Sequence, residues 1–180
     1  MRFSRFYPFL FALFTNALCT AQPYWQKGDR LGYVGGFATV QGQGGQIVNA
    51  HLDLDLGGSL FFTPKWALGA EASTSWDPLT QSVNATMRAQ YLLLGRSDLS
   101  HSLLADIHAG MGSHTSQTVM GTSFSSNDVK VGLGLQYTWW ISQGVGVYLW
   151  PQWSRTNGGP SGLWGWQFDI PIGVQWNWHK

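Results

Sequence analysis

From Trp164 to Trp178 the chain reads WGWQFDIPIGVQWNW, and its side chains alternate in character without a break. Trp164, Trp166, Phe168, Ile170, Ile172, Val174, Trp176 and Trp178 hold every second position. Between them stand Gly165, Gln167, Asp169, Pro171, Gly173, Gln175 and Asn177. A period of two belongs to a β-strand, whose successive side chains point to opposite faces. One face of this strand is therefore wholly apolar and the other polar or small. At ~3.3 Å per residue it is long enough to cross a bilayer even when tilted. Tryptophans at both ends of an apolar band mark a membrane-spanning barrel strand, because the indole ring favours the two interfaces.

The rest of the chain obeys the same constraint. Charged residues make up 11% of the 180, against about 25% in a typical soluble domain. No stretch supplies the ~20 consecutive apolar residues of a spanning helix. Low charge, abundant Trp and Gly, and no membrane helix point to a single transmembrane β-barrel domain. A net charge of +1 argues against nucleic acid as a partner.

Residues 1–21 read as a signal peptide: Arg2 and Arg5, an apolar run from Phe6 to Leu18, and Cys19-Thr20-Ala21 as a small-residue cleavage site. The barrel domain is then 22–180. Cys19 follows the apolar run, so lipoprotein processing is the alternative. With cleavage after Ala21 the mature chain has no cysteine, which excludes a disulfide framework and a cysteine-based zinc site.

Eight alternating segments follow: 30–42, 49–62, 66–76, 83–94, 102–114, 128–140, 145–154 and 164–178. The first is ambiguous, with Leu31, Tyr33 and Phe37 on one face and Val34, Ala38 and Val40 on the other. Thr63-Pro64-Lys65 is a tight turn, Asp77-Pro78 opens a loop, and the Ser/Thr-rich stretch 115–127 is the longest connection. Connections after segments two, four and six are expected to be mostly short, and the longest follow five and seven, the outer-membrane arrangement of short periplasmic turns and longer external loops. The expected fold is all-β: an eight-stranded antiparallel up-and-down transmembrane β-barrel with both termini periplasmic. Pro151 and Pro171 each remove a ladder donor, and a β-bulge or locally widened pair at each is the expected accommodation. A partly open last hairpin is the alternative.

Alternation does not say which face is outside, but charge does. A soluble barrel dresses its outer face with Lys and Glu, whereas this chain has one glutamate, Glu71. The apolar face is therefore expected to meet lipid, with Trp66, Trp76, Tyr91, Tyr137, Trp139, Trp164, Trp166, Trp176 and Trp178 at the interfaces. The interior then collects His51, Asp53, Asp55, Glu71, Asp106, His108, Asp128 and Asp169 against Arg88 and Lys130. An eight-stranded barrel is just wide enough to be filled by side chains, so a plug of hydrogen bonds and ion pairs is expected, with Glu71–Arg88 as its central pair. Neither a cofactor nor a metal site is expected, for no phosphate-binding glycine loop or His-Glu metal motif occurs.

The alternating strand ending Phe61-Phe62-Thr63-Pro64-Lys65, the restart Trp66 to Ala70, and Leu133-Gly134-Leu135-Gln136-Tyr137 together resemble the small outer-membrane proteins with an eight-stranded β-barrel domain. The resemblance implies residence in the outer membrane of a Gram-negative-type bacterium and a monomer surrounded by outer-membrane lipid. It also implies a last strand read by the barrel-assembly machinery, although here Trp178 is followed by His179-Lys180. A structural, adhesion or surface-interaction role through external loops follows, its extracellular ligand unspecified. His114-Thr115-Ser116, with Asp128 opening segment six, carries the enzymatic alternative. A histidine activates a serine when a carboxylate orients it, and His-x-Ser is similar to the site of the eight-stranded outer-membrane lipid A deacylases. That family's acidic partner is a glutamate and its site opens toward lipid, whereas His114 falls on the polar face.

Overall fold

In the computed structural model the chain is described over residues 25–43, 46–77, 80–95, 101–117, 122–142, 144–157 and 164–178. Side chains are described at all of these except 37–52, 77 and 117. The expected signal peptide and the His51 side chain lie outside the described residues. The elements are β1 (Arg30–Gln43), β2 (Gln46–Phe61), β3 (Trp66–Asp77), β4 (Thr80–Gly95), β5 (His101–Gln117), β6 (Ser123–Trp140), β7 (Val145–Leu149), β8 (Gln152–Asn157), β9 (Trp164–Asp169) and β10 (Ile172–Trp178). Every pairing is antiparallel, and β1 pairs with β2 on one side and with β9 and β10 on the other, which closes the sheet.

The ten segments make eight staves. β7 and β8 run along β6 in one register, as Tyr137↔Leu149 and Gly134↔Gln152 show, and β9 and β10 continue each other along β1 in the same way. The breaks fall at the two prolines, and the expected bulge is absent there: Leu149↔Ile172 and Gln152↔Asp169 keep one register across both. The reason is local. Trp150 N donates to Pro171 O at 2.8 Å and Leu135 N donates to Pro151 O at 3.1 Å. Each proline thus still accepts across the ladder and withholds only its missing N–H. With both neighbours paired, the last hairpin is not open.

Bulges occur elsewhere, between Gln41 and Gly42 and between Leu92 and Leu94. Following opposed residues around the barrel leads from Leu31 through Ser59, Gly69, Arg88, His108, Gly132, Ser154 and Gln167 to Gln41, a stagger of ten residues on return to β1. Strand number and stagger together fix how wide the cylinder is and how far the strands tilt.

Alternation sorts the faces as expected. Leu54, Leu56, Leu68, Met87, Ile107, Leu133, Ile172 and Val174 are exposed outward, while Asp55, Glu71, Arg88, Asp106, Gln136 and Gln175 are buried inside. β1 resolves with Leu31 and Tyr33 inside and Val34 outside. Tight turns hold the end nearest the termini: Thr63 Oγ1 accepts from Trp66 N at 2.9 Å, and Ser142 Oγ accepts from Val145 N at 3.2 Å.

At the opposite end the strands are longer than composition implies. β5 and β6 stay paired as far as Gln117↔Ser123, so the expected loop 115–127 shrinks to 118–122. β3 and β4 pair as far as Asp77↔Thr80. Runs of Ser and Thr read as loop in a sequence, but Thr favours the pleated backbone and both residues pair readily in a ladder. The connections at the two ends are consequently of similar length, 62–65, 96–100 and 141–144 against 44–45, 78–79, 118–122 and 158–163. The expected contrast of short and long connections is not present.

Candidate functional site: the barrel interior and its two rims

Three layers of buried side chains stand in the described interior. At the end nearest the termini, Trp25 is fully buried before β1 begins. Its ring stacks on Phe61, centroids 4.4 Å apart and planes 7° from parallel, and meets Trp140 edge-on at 5.6 Å. Leu31, Ala67, Leu92 and Leu104 complete this apolar layer. The chain reaches it through Gly28, whose φ of 99° suits glycine and whose N–H bonds Phe61 O at 2.8 Å.

Above it lies a belt of amides. Ser59 Oγ donates to Gln90 Oε1 at 2.5 Å, Gln90 Nε2 to Gln136 Oε1 at 3.1 Å, Gln136 Nε2 to Gln175 Oε1 at 2.7 Å, and Gln175 Nε2 to Thr138 Oγ1 at 2.5 Å. These residues come from β2, β4, β6 and β10, so the chain of bonds spans the interior.

The third layer is ionic. Arg88 pairs with Glu71 through Nη2 and with Asp106 through Nη1 at 3.2 Å, and all three side chains are almost fully buried. Its guanidinium lies 4.0 Å from the centroid of Trp150. Asp106 also accepts from Trp150 Nε1 at 3.2 Å and bonds His108 Nδ1 at 3.1 Å, while Tyr33 donates to Glu71 at 3.1 Å. Buried charges are tolerable when paired and hydrogen-bonded, and Arg88 is paired through both Nη atoms, while its Nε and the nearby Asp55 Oδ1 are buried with no hydrogen-bond partner among the described residues. Asp55 is buried nearby, and Asp53 is half-buried one step further out. Lys130 Nζ reaches Asp169 at 3.2 Å, and Gln167 donates to the same carboxylate. Among the described residues His108 Nε2, Ser154 Oγ and Tyr148 Oη are buried without a hydrogen-bond partner; a Cβ on Gly132 would strike His108 Nε2, and one on Gly35 or Gly173 would strike Tyr148 Oη.

Of the sequence candidates, the structure brings Glu71, Arg88, Asp106 and His108 into one cluster and Lys130 with Asp169 into another. Trp150, Tyr33, Tyr148 and the glutamine belt were missed. Trp150 could have been found by carrying the phase of Tyr148, Gln152 and Ser154 through Pro151, which places it inside.

His114 and Ser116 do meet, Nε2 and Oγ at 2.8 Å, on the inward face of β5. Asp128 does not join them: it stands opposite Gly112 and takes the Ser126 hydroxyl at 3.4 Å, whereas His114 stands opposite Ser126. The hydrogen bond thus joins His114 and Ser116, while the Asp128 carboxylate is engaged by Ser126.

Outside, the aromatics form two girdles. Trp66, Tyr137, Trp139 and Trp178 are exposed at the end nearest the termini, Trp76 and Trp164 at the other. Tyr91, Trp166 and Trp176 are half-buried beside them, Tyr91 edge-on to Trp66 at 4.8 Å. Trp66 and Trp76 stand at the two ends of β3, ten residues apart. That is about 33 Å along the strand and roughly 25 Å after tilt, the height of an outer-membrane barrel's apolar band.

No family model matches this sequence, and no curated protein matches it. Solved structures do match in fold. Neisserial surface protein A superposes with a TM-score of 0.64 at 6% identity, over 83% of this chain and 98% of that one. The attachment invasion locus protein Ail of Yersinia pestis gives 0.58 at 11% identity, over 85% and 100%. The outer membrane protein OprG of Pseudomonas aeruginosa gives 0.54 at 14%, over 87% and 99%. The fold of this chain is that of the small eight-stranded outer-membrane β-barrels.

Proposed function

We propose that this protein is a monomeric outer-membrane barrel of a Gram-negative-type bacterium, with a plugged interior and a structural or surface-interaction role exercised at the end away from its termini. The observation that carries the reading is the pairing of two surfaces: an apolar outer face bounded by aromatic girdles, and an interior occupied layer by layer by Trp25, the glutamine belt and the Arg88 cluster. Such an outer face has its natural solvent in lipid, and such an interior leaves little for a solute to pass through. Similarity in fold to a Neisserial surface protein and to an attachment invasion locus protein supports the surface role. Both termini then lie in the periplasm, and the barrel-assembly machinery reads β10. The projecting hairpin ends of β3–β4 and β5–β6, rather than long loops, present the contact surface.

The test combines membrane fractionation with heat-dependent migration in detergent gels, followed by planar-bilayer recording and by binding of cells that express the protein to host-cell monolayers. Outer-membrane recovery, a mobility shift on heating, no discrete conductance steps and increased cell binding are expected. Recovery as a soluble periplasmic protein overturns the reading.

The lipid A hydrolase alternative is not favoured, because His114 and Ser116 face inward, away from lipid. Replacing both by alanine is expected to leave lipid A acylation unchanged, as read by mass spectrometry of extracted lipid.

A further inference from the structure

We infer that the outer surface of β8 and β9 carries a binding site for the phosphate of a membrane lipid, with Arg155 as its anion-binding group. On the outward face at the end away from the termini, Trp153, Arg155, Trp164 and Trp166 line a cleft of about 450 Å³. Register fixes the arrangement: Arg155 stands opposite Trp166 and Val131, Trp153 opposite Phe168 and Leu133, and Asn157 opposite Trp164. Arg155 is therefore exposed and flanked by apolar and aromatic neighbours on a face that meets lipid. Its guanidinium lies 5.9 Å from the centroid of the Trp164 ring. Among the described residues no carboxylate pairs with it, unlike the inward-facing Arg88 and Lys130.

A cation on the lipid face is costly at mid-bilayer and nearly free at the interface, where headgroup anions are at hand. Arg155 sits in the aromatic girdle, which is the headgroup level. A guanidinium offers a planar fork of donors that matches phosphate, and the indole N–H groups beside it are further donors. Below it Trp153 on β8, Phe168 on β9 and Ile170 just past β9 are exposed outward, giving the acyl chains of the same molecule a surface. The occupant is thus a phosphorylated amphiphile: charge complementarity selects the phosphate, and the apolar wall selects a lipid over free phosphate.

This site rests on the barrel standing in a membrane, and the experiment separates the two. Full-length protein and Arg155→Gln, both checked for heat-dependent migration, are purified in detergent and offered bisphosphorylated lipid A, the same lipid with its phosphates removed, and inorganic phosphate. Bound lipid is read by native mass spectrometry. Expected is retention of bisphosphorylated lipid A by the parent protein, with about tenfold weaker retention both by Arg155→Gln and of the dephosphorylated lipid. Equal retention of the two lipids by the parent protein, undiminished retention by a folded Arg155→Gln, or displacement by millimolar inorganic phosphate overturns the proposal. Loss of heat-dependent migration in the parent protein would strike the membrane reading instead.

Discussion

Arg88 shows how one residue comes to hold an interior together. Its carboxylate partners lie on β3 and β5, the two strands flanking its own, and its guanidinium packs on Trp150 from across the barrel. Removing the cation alone leaves Glu71 and Asp106 buried with an unmet charge, so Arg88→Met is expected to cost about 3–5 kcal/mol, read by urea unfolding from lipid vesicles. Adding Glu71→Gln to Arg88→Met should recover part of that loss, giving a coupling energy in a double-mutant cycle. Trp25→Ala, which empties the stack on Phe61 and Trp140, is expected to cost about 3–5 kcal/mol in the same measurement. The ionic residues were legible in the sequence because each sits in phase on a polar strand face. Trp25 was not, because nothing in a short lead before β1 says that it turns back into the cylinder, and Tyr33 was hidden by a strand carrying apolar residues on both faces.

For whole strands, period two located every one of them, and its failures have physical causes. Composition separates Ser/Thr-rich strand from loop poorly, so β5 and β6 were read too short: Thr115, Ser125 and Asn127 are polar outward residues beyond the apolar band, still held in the ladder. The prolines teach the converse. Pro171 stands opposite Trp150 and accepts from it, so only the return bond to Trp150 O is lost. Pro171→Val, which supplies that N–H in an extended backbone, is expected to raise stability by about 1 kcal/mol, seen as a higher urea midpoint at unchanged slope. A fall in the midpoint would mean that the break serves the packing of Trp150 beneath it.

At the scale of the molecule, closure depends on β1 meeting β9 and β10, as in Arg30↔Trp178 and Thr39↔Asp169. A chain ended after residue 171 would leave β7 paired only to β6, its other edge bare, and half of one edge of β1 bare as well. Unpaired strand edges are not tolerated in lipid, so this truncation is expected to give no heat-shifted band after refolding into vesicles.

The same seam bears on the fidelity of assembly. Its two edges are separated by almost the whole chain, so they meet only after the other pairings have formed. A slip of one residue at that moment would turn Asp169, Gln175 and Asn177 toward lipid and Phe168, Ile172 and Val174 inward. The miscounted barrel would lose the bond from Lys130 to Asp169 and expose a carboxylate to hydrocarbon. The alternation of β9 and β10 thus works as a proofreading code, which rejects every odd error in counting at the last step of closure.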